Sequence, residues 1–336
     1  MRLLAPDDPR WLDLARRHAD ATIFHHPAWA KLLADCYGYR AMLAADVEGD
    51  AVIGGLPLLD VSLPFRRRWV ALPFTDVCPP LLSGDAGQFV DDLGELARAA
   101  RLDSLQIRAP LPAHAAIHSE SGFVRHELQL SGDVRAIWKQ LRRNHRRSVV
   151  DAEEAGVRTE RESSARALET FYSLHLQTRR RLGVPVQPRR FFRLLSERIV
   201  EPGLGFVLTA YHGSRPAAAA VFCGWNGTLV CKYSARADGF VKSDAIHLLF
   251  WTAIRWACEN GYRVFDLGRS SVDQAQLRSF KTGWAARELD LPYSRIARRP
   301  TRSSPRRLHS AMGIVIRHSQ PWLCQAMGEL LYRYAG

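Results

Sequence analysis

Residues Arg263 to Tyr293 read RVFDLGRSSVDQAQLRSFKTGWAARELDLPY. Val264–Leu267 predicts a short buried strand, closed by Gly268. A polar stretch follows and leads to Phe280-Lys281-Thr282-Gly283-Trp284. Lys281 is one of only five lysines, at 31, 139, 232, 242 and 281; the other 42 of the 47 basic residues are arginines. A compact ammonium with three rotatable donors is not interchangeable with a guanidinium. It suits stabilising a developing oxyanion or gripping a phosphate. Taken alone, Lys281 reads more simply as a surface residue.

The pattern extends outward from this segment. Ala165–Arg181 has helical spacing, Phe206–Tyr211 and Ala217–Trp225 are strands, and Asn226-Gly227 marks a tight hairpin into Leu229–Ser234. Ser243-Asp244 resembles a helix N-cap, with the helix running through Glu259 and stopped by Gly261. The first half shows the same order. A helix ends at Gly38, Ala41–Asp46 and Ala51–Leu59 form a hairpin, Arg66–Leu72 is a strand, Ala86–Arg101 a helix and Leu105–Ile107 a strand. Leu105 falls on Phe265, and Ile107 on Leu267, at an offset of 160. Identity across the match is negligible, but the repeated order predicts an internal duplication. The expected organisation is two α/β (α+β) units, residues 1–130 and 131–297, each a mixed sheet flanked by helices. A basic Pro/Ser-rich linker from 298 to 307 and an amphipathic helical tail from 308 complete residues 298–336. Trp322, Leu323, Met327, Leu330 and Leu331 fall on one side of that tail, which suits packing on the body or peripheral contact with a membrane surface.

With 336 residues, 47% hydrophobic and 24% charged, the composition is that of a globular protein and excludes a disordered chain. No apolar run reaches membrane-spanning length, and Met1–Asp8 lacks a signal-peptide core, so a soluble cytoplasmic protein is expected. The six cysteines form no C-x-x-C pair and read as reduced core residues. The net charge of +13 favours a polyanionic partner: RNA, a membrane surface or a phosphorylated substrate. Part of the arginine bias fits a GC-rich codon habit, and solubility alone is the simplest alternative.

Val134–Ala155 is the clearest electrostatic element. Read as one helix, it sets Trp138, Leu141, His145, Val149 and Ala152 on one side and Lys139, Arg142, Arg143, Arg146 and Arg147 on the other. Five cations on one face can track a phosphate backbone; a solvated basic face is the competing account. Arg179-Arg180-Arg181 closes another helix, where cations favour the dipole anyway. No Walker loop, dinucleotide fingerprint or nucleophile elbow occurs, and His25-His26 lacks companions for a metal site.

Phe265-Asp266-Leu267-Gly268, Phe280-Lys281-x-Gly283-Trp284 and Leu291-x-Tyr293 together resemble the C-terminal signature of the Fem family. Leu141–Ser148 with Ala152–Val157 resembles its basic helix, and Phe171-Tyr172 with Thr178–Pro185 the helix and loop that follow. The resemblance spans roughly residues 15 to 297. It implies tandem GNAT-like (N-acetyltransferase-like) domains and transfer of an amino acid from aminoacyl-tRNA to an amine, such as one on a cell-wall precursor, without a bound cofactor or metal. It further implies that Phe280 lines the channel and that Lys281 stabilises charge on the reacting ester. Tyr233 matches a tyrosine near the acceptor; Arg180, with Arg179 beside it, loosely matches a substrate-phosphate arginine. The tRNA would dock on the 134–155 helix. Arg236-Ala237-Asp238-Gly239-Phe240-Val241 keeps half of the pyrophosphate loop of acyl-CoA-dependent relatives, so an acyl-CoA donor stays open. A non-catalytic module binding RNA or an anionic membrane is the third reading.

Overall fold

The computed structural model describes residues 1–240, 244–297, 316 and 320–332. Seven strands come first: β1 (Arg2–Leu4), β2 (Arg40–Glu48), β3 (Ala51–Asp60), β4 (Arg68–Val70), β5 (Leu81–Leu82), β6 (Ser104–Ile107) and β7 (Ile117–Glu120). The second lobe contributes β8 (Phe123–Gln129), β9 (Val157–Glu162), β10 (Gly205–His212), β11 (Arg215–Trp225), β12 (Thr228–Arg236), β13 (Val264–Ser271) and β14 (Arg287–Asp290). A last strand, β15 (Tyr293–Ala297), returns to the first sheet and lies between β6 and β7. The sheets run β1-β2-β3-β4-β6-β15-β7, with β5 on β3, and β14-β8-β13-β12-β11-β10-β9. Both are mixed. The tandem GNAT-like α/β architecture read from the sequence is the one found.

The duplication is visible in register. In the first sheet Arg68 pairs with Ser104 in parallel; in the second Thr228 pairs with Val264, each partner 160 residues later. The chain crosses between sheets after Glu120 and back before Tyr293, so β8 lies in the second sheet although it precedes the expected 130/131 division. The hairpin at Asn226-Gly227 forms with both residues at positive φ, 49° and 78°.

The helices are α1 (Pro9–Arg17), α2 (Pro27–Tyr37), α3 (Ala86–Ala99), α4 (Val134–Gln140), α5 (Arg143–Glu154), α6 (Ala165–Leu182), α7 (Arg189–Leu195), α8 (Ala245–Glu259), α9 (Ala275–Thr282) and α10 (Pro321–Leu331). None among the described residues is long and apolar enough to cross a membrane. The expected single helix 134–155 is two. Leu141 and Arg142 are extended, and the Arg142 backbone N–H donates to Gly283 O at 3.0 Å instead of continuing the ladder. The burial pattern nevertheless holds: Leu141, His145, Val149 and Ala152 are buried, Lys139, Arg142, Arg143 and Arg147 are exposed, and Arg146 is half-buried.

One apolar core joins the lobes, running from Trp29, Leu33 and Leu105 to Phe171, Phe191 and Val230. A second, containing Phe222, Phe250, Phe265 and Trp284, fills the space between the second sheet and α8. Alternation along β13 therefore sends Phe265 and Leu267 toward α8, and the buried Asp266 to the opposite face of the sheet.

The linker 298–307 lies outside the described residues. Helix α10 docks on α6 by only part of the expected side: Met327 packs on the core beside the buried Cys324 and Gly328, while Trp322, Leu330 and Leu331 stay exposed. A Cβ on Gly328 would stand 1.9 Å from the Val186 carbonyl oxygen, so backbone-to-backbone approach selects the docked face.

Candidate active site

Each residue of Phe-Lys-x-Gly-Trp has a distinct physical task. Trp284 is fully buried against Phe250, with ring centroids 5.7 Å apart. Gly283 leaves room for His145, whose ring carbon would lie 2.2 Å from any Cβ there. Phe280 joins His145, His247 and Phe250 in an aromatic wall, with centroids 5.4–5.5 Å away. Burial, then the neighbouring His145, lowers His247 to about 4, so that wall stays uncharged at neutral pH. Lys281 points the other way, toward β13. Arg142 clamps this helix, donating to Ser279 O and Oγ at 3.1 and 2.9 Å and to Thr282 Oγ1 at 3.0 Å.

The Lys281 ammonium is 7% exposed and donates to Gly268 O at 2.8 Å and Arg269 O at 2.9 Å. Gly268 sits at φ 71°, and a Cβ there would come 3.1 Å from Asp76 Oδ2. That turn aims both carbonyls at the lysine. Two of its three N–H donors are thereby used. Burial lowers the Lys281 pKa, opposed by the carboxylates of Asp76 and Asp266. Asp266 is itself buried; burial raises it to about 6, although it accepts the Gly268 N–H at 2.6 Å.

A second buried lysine meets the same cluster. Lys232 donates to Phe74 O at 2.8 Å and lies 3.4 Å from Asp76 Oδ2. Its Nζ stands over the Phe24, Trp29 and Tyr233 rings at 5.4, 5.7 and 5.3 Å. Arg269 Nε is 3.8 Å from Asp76 Oδ1, and Tyr293 Oη donates to Asp76 O at 2.7 Å. The loop carrying Asp76 holds Leu72 and Phe74 at φ 54° and 63°, conformations that non-glycine residues avoid and that concentrate at functional sites. Three cations thus converge with two carboxylates, one of which resists ionisation. The cluster takes groups from both lobes. Sequence reasoning missed Asp76 and Lys232; the rarity of lysine pointed to Lys232 as strongly as to Lys281.

The other expected residues scatter around this centre. Tyr233, half-buried on β12 next to Lys232, is ringed by Phe171, His175, Phe191 and Phe192. Burial pushes its phenol well above the usual value. Arg179 turns to the tail, donating to Pro185 O at 2.9 Å and Tyr332 Oη at 3.0 Å. Tyr332 in turn stacks on Tyr37, with centroids 6.4 Å apart. Arg180 lines a separate cavity of about 890 Å³ with Leu168, Tyr172, Phe192, Arg193 and Gln325. On the basic face Lys139, Arg143 and Arg147 are exposed, Arg147 lies 3.6 Å from Asp151, and Arg146 is half-buried. Arg142 is committed to α9.

Residues 139–281 match the family described as Acetyltransferase (GNAT) domain. No curated protein sequence matches the chain. Among solved structures it is similar to FemX, with a TM-score of 0.71, 13% identity, and coverage of 88% of this chain and 97% of that one. L-PGS from Bacillus licheniformis follows with a TM-score of 0.57, 14% identity, and 93% and 97% coverage. A tandem GNAT protein from the clavulanic acid biosynthesis pathway has a TM-score of 0.54, 13% identity, and 90% and 100% coverage. The second lobe thus matches a GNAT domain model, and the chain as a whole shares the fold of FemX and of the tandem GNAT protein.

Proposed function

We propose that the chain is an N-acyltransferase that moves an amino acid from aminoacyl-tRNA to an amine acceptor. The observation that supports this reading is the Lys281 ammonium, fixed by two carbonyls within a cluster of charged groups from both lobes. The neutral amine of the acceptor attacks the ester carbonyl. A C–N bond forms, and the carbonyl oxygen takes the negative charge opposite Lys281. The tetrahedral centre then expels the ribose oxygen, which leaves with the proton lost by the amine. Asp76 lies within the same charge cluster and suits a proton relay for that transfer. The ester is already activated, so positioning and oxyanion stabilisation are the chemistry this chain must supply. The exposed cations Lys139, Arg143 and Arg147, with the half-buried Arg146 between them, would hold the tRNA, with Tyr233 on the acceptor side.

An acyl-CoA donor is the second reading. It is favoured by the GNAT-domain match and by the turn after β12, where Gly239 has φ 87°; Val241, which would crowd a pyrophosphate there, lies outside the described residues. Incubating the protein with an amine pool and either total charged tRNA or acetyl-CoA, followed by mass spectrometry, separates the two. A new amide from charged tRNA alone supports the first reading, and one from acetyl-CoA alone overturns it.

A further inference from the structure

On the first lobe, far along the sequence from Lys281, β3 and β4 are joined by a tight loop with an unusual apex. Leu63 and Arg66 exchange backbone hydrogen bonds of 2.9 and 3.0 Å, leaving Pro64 and Phe65 as a two-residue turn. Phe65 has φ 70°, in the position where a turn begun by proline normally takes glycine. Its relative exposure is 107%, so the ring touches nothing that hides it from water. The residue therefore carries both backbone strain and an unburied aromatic surface, and neither helps this chain fold. The stem below is firmly built. Asp60 Oδ1 accepts the Ser62 N–H, Ser62 Oγ accepts the Arg68 N–H, and Asp103 Oδ2 accepts the Arg67 N–H, at 2.8–3.0 Å. Arg66 and Arg67 are exposed directly behind the apex.

We propose that this hairpin is a membrane-contacting finger, in which Phe65 enters the interface of an anionic bilayer and Arg66 and Arg67 engage headgroup phosphates. An apolar apex with a cationic collar matches the depth order of a bilayer surface, acyl boundary first and phosphates behind. The ring stands on a convex tip. Base stacking on single strands uses platforms along a charged groove, whereas a convex tip meets a flat surface. Asp60 and Asp103 lie on the stem with their oxygens turned to backbone N–H groups.

The test is flotation of the full chain with vesicles of phosphatidylcholine, with and without phosphatidylglycerol. Because the exposed Trp322 of α10 and the basic face of α5 are further possible contacts, the comparison is between variants. Phe65→Gly relaxes the turn, so its melting temperature should equal or exceed that of the parent. Its partitioning onto phosphatidylglycerol vesicles should fall about tenfold, and Phe65→Trp should keep it. Arg66→Gln/Arg67→Gln should lose about tenfold on anionic vesicles alone. Three results overturn the proposal: no flotation of the parent chain, equal flotation of Phe65→Gly, or loss of binding to a single-stranded RNA oligomer while flotation is unchanged.

Discussion

Replacing Lys232 by methionine tests whether the two lobes are electrostatically fastened at the site. The side chain is nearly the same length, so packing among Phe24, Trp29 and Tyr233 survives. What disappears is the donor to Phe74 O at 2.8 Å and the charge 3.4 Å from Asp76. Breaking a buried pair typically costs about 3–5 kcal/mol, because the survivor is left uncompensated. Arg269 still faces Asp76, which sets the expectation at the lower end, about 3 kcal/mol. At about 2.1 cal/mol/K per residue, that lowers the melting temperature of a chain this long by about 4 °C. Asp76→Asn alone should also destabilise, and the double variant should cost about 2 kcal/mol less than the two single losses added. Release of the Phe74–Asp76 loop should slow group transfer about 100-fold, the usual consequence of an ångström-scale misplacement. Thermal unfolding of the four proteins and single-turnover transfer give both numbers. Full stability and rate in Lys232→Met, or strictly additive losses, would refute the fastening.

Three further outcomes follow from the same geometry. Arg142→Ala removes three hydrogen bonds to α9 and should slow transfer about tenfold while leaving RNA affinity largely intact; Arg143→Gln/Arg147→Gln should instead weaken RNA binding and reduce its salt slope by about 2, measured by fluorescence anisotropy. Asp266, raised to about 6 in the fold from 3.8, binds a proton more readily folded than unfolded. Its contribution to stability is therefore full below pH 4 and lost by about pH 6, where the ionised form costs about 3 kcal/mol. Urea unfolding from pH 4 to 7.5 should show that slope in the parent chain and a flatter profile in Asp266→Asn; identical profiles would remove Asp266 from the cluster's electrostatics.

Much of the architecture was legible because it is written in local chemistry. Asn226-Gly227 can hold two consecutive positive φ values, and the match of Leu105 to Phe265 is the register of two equivalent parallel strand pairs. What sequence periodicity could not reveal depends on distant partners. The helix break at Leu141-Arg142 exists because Gly283 O takes the Arg142 N–H. The return of β15 to the first sheet is a pairing choice with no local signal. The tail's docking face was partly misread because a hydrophobic stripe suggested Trp322 and Leu330, whereas contact at Gly328 is set by the absence of a side chain. At the candidate site, Lys281 stands out in the sequence by its rarity and its Phe-Lys-x-Gly-Trp setting. Asp76 was not, since it lies some two hundred residues away on the other lobe and carries no motif of its own.

The central claim is that the Lys281 ammonium faces the oxygen on which charge develops during acyl transfer. Single-turnover transfer from charged tRNA by Lys281→Met tests it most directly. The expected result is a rate about 100- to 1,000-fold below the parent chain, with tRNA affinity unchanged and the fold intact by circular dichroism. A folded Lys281→Met protein that transfers at the parent rate would contradict it.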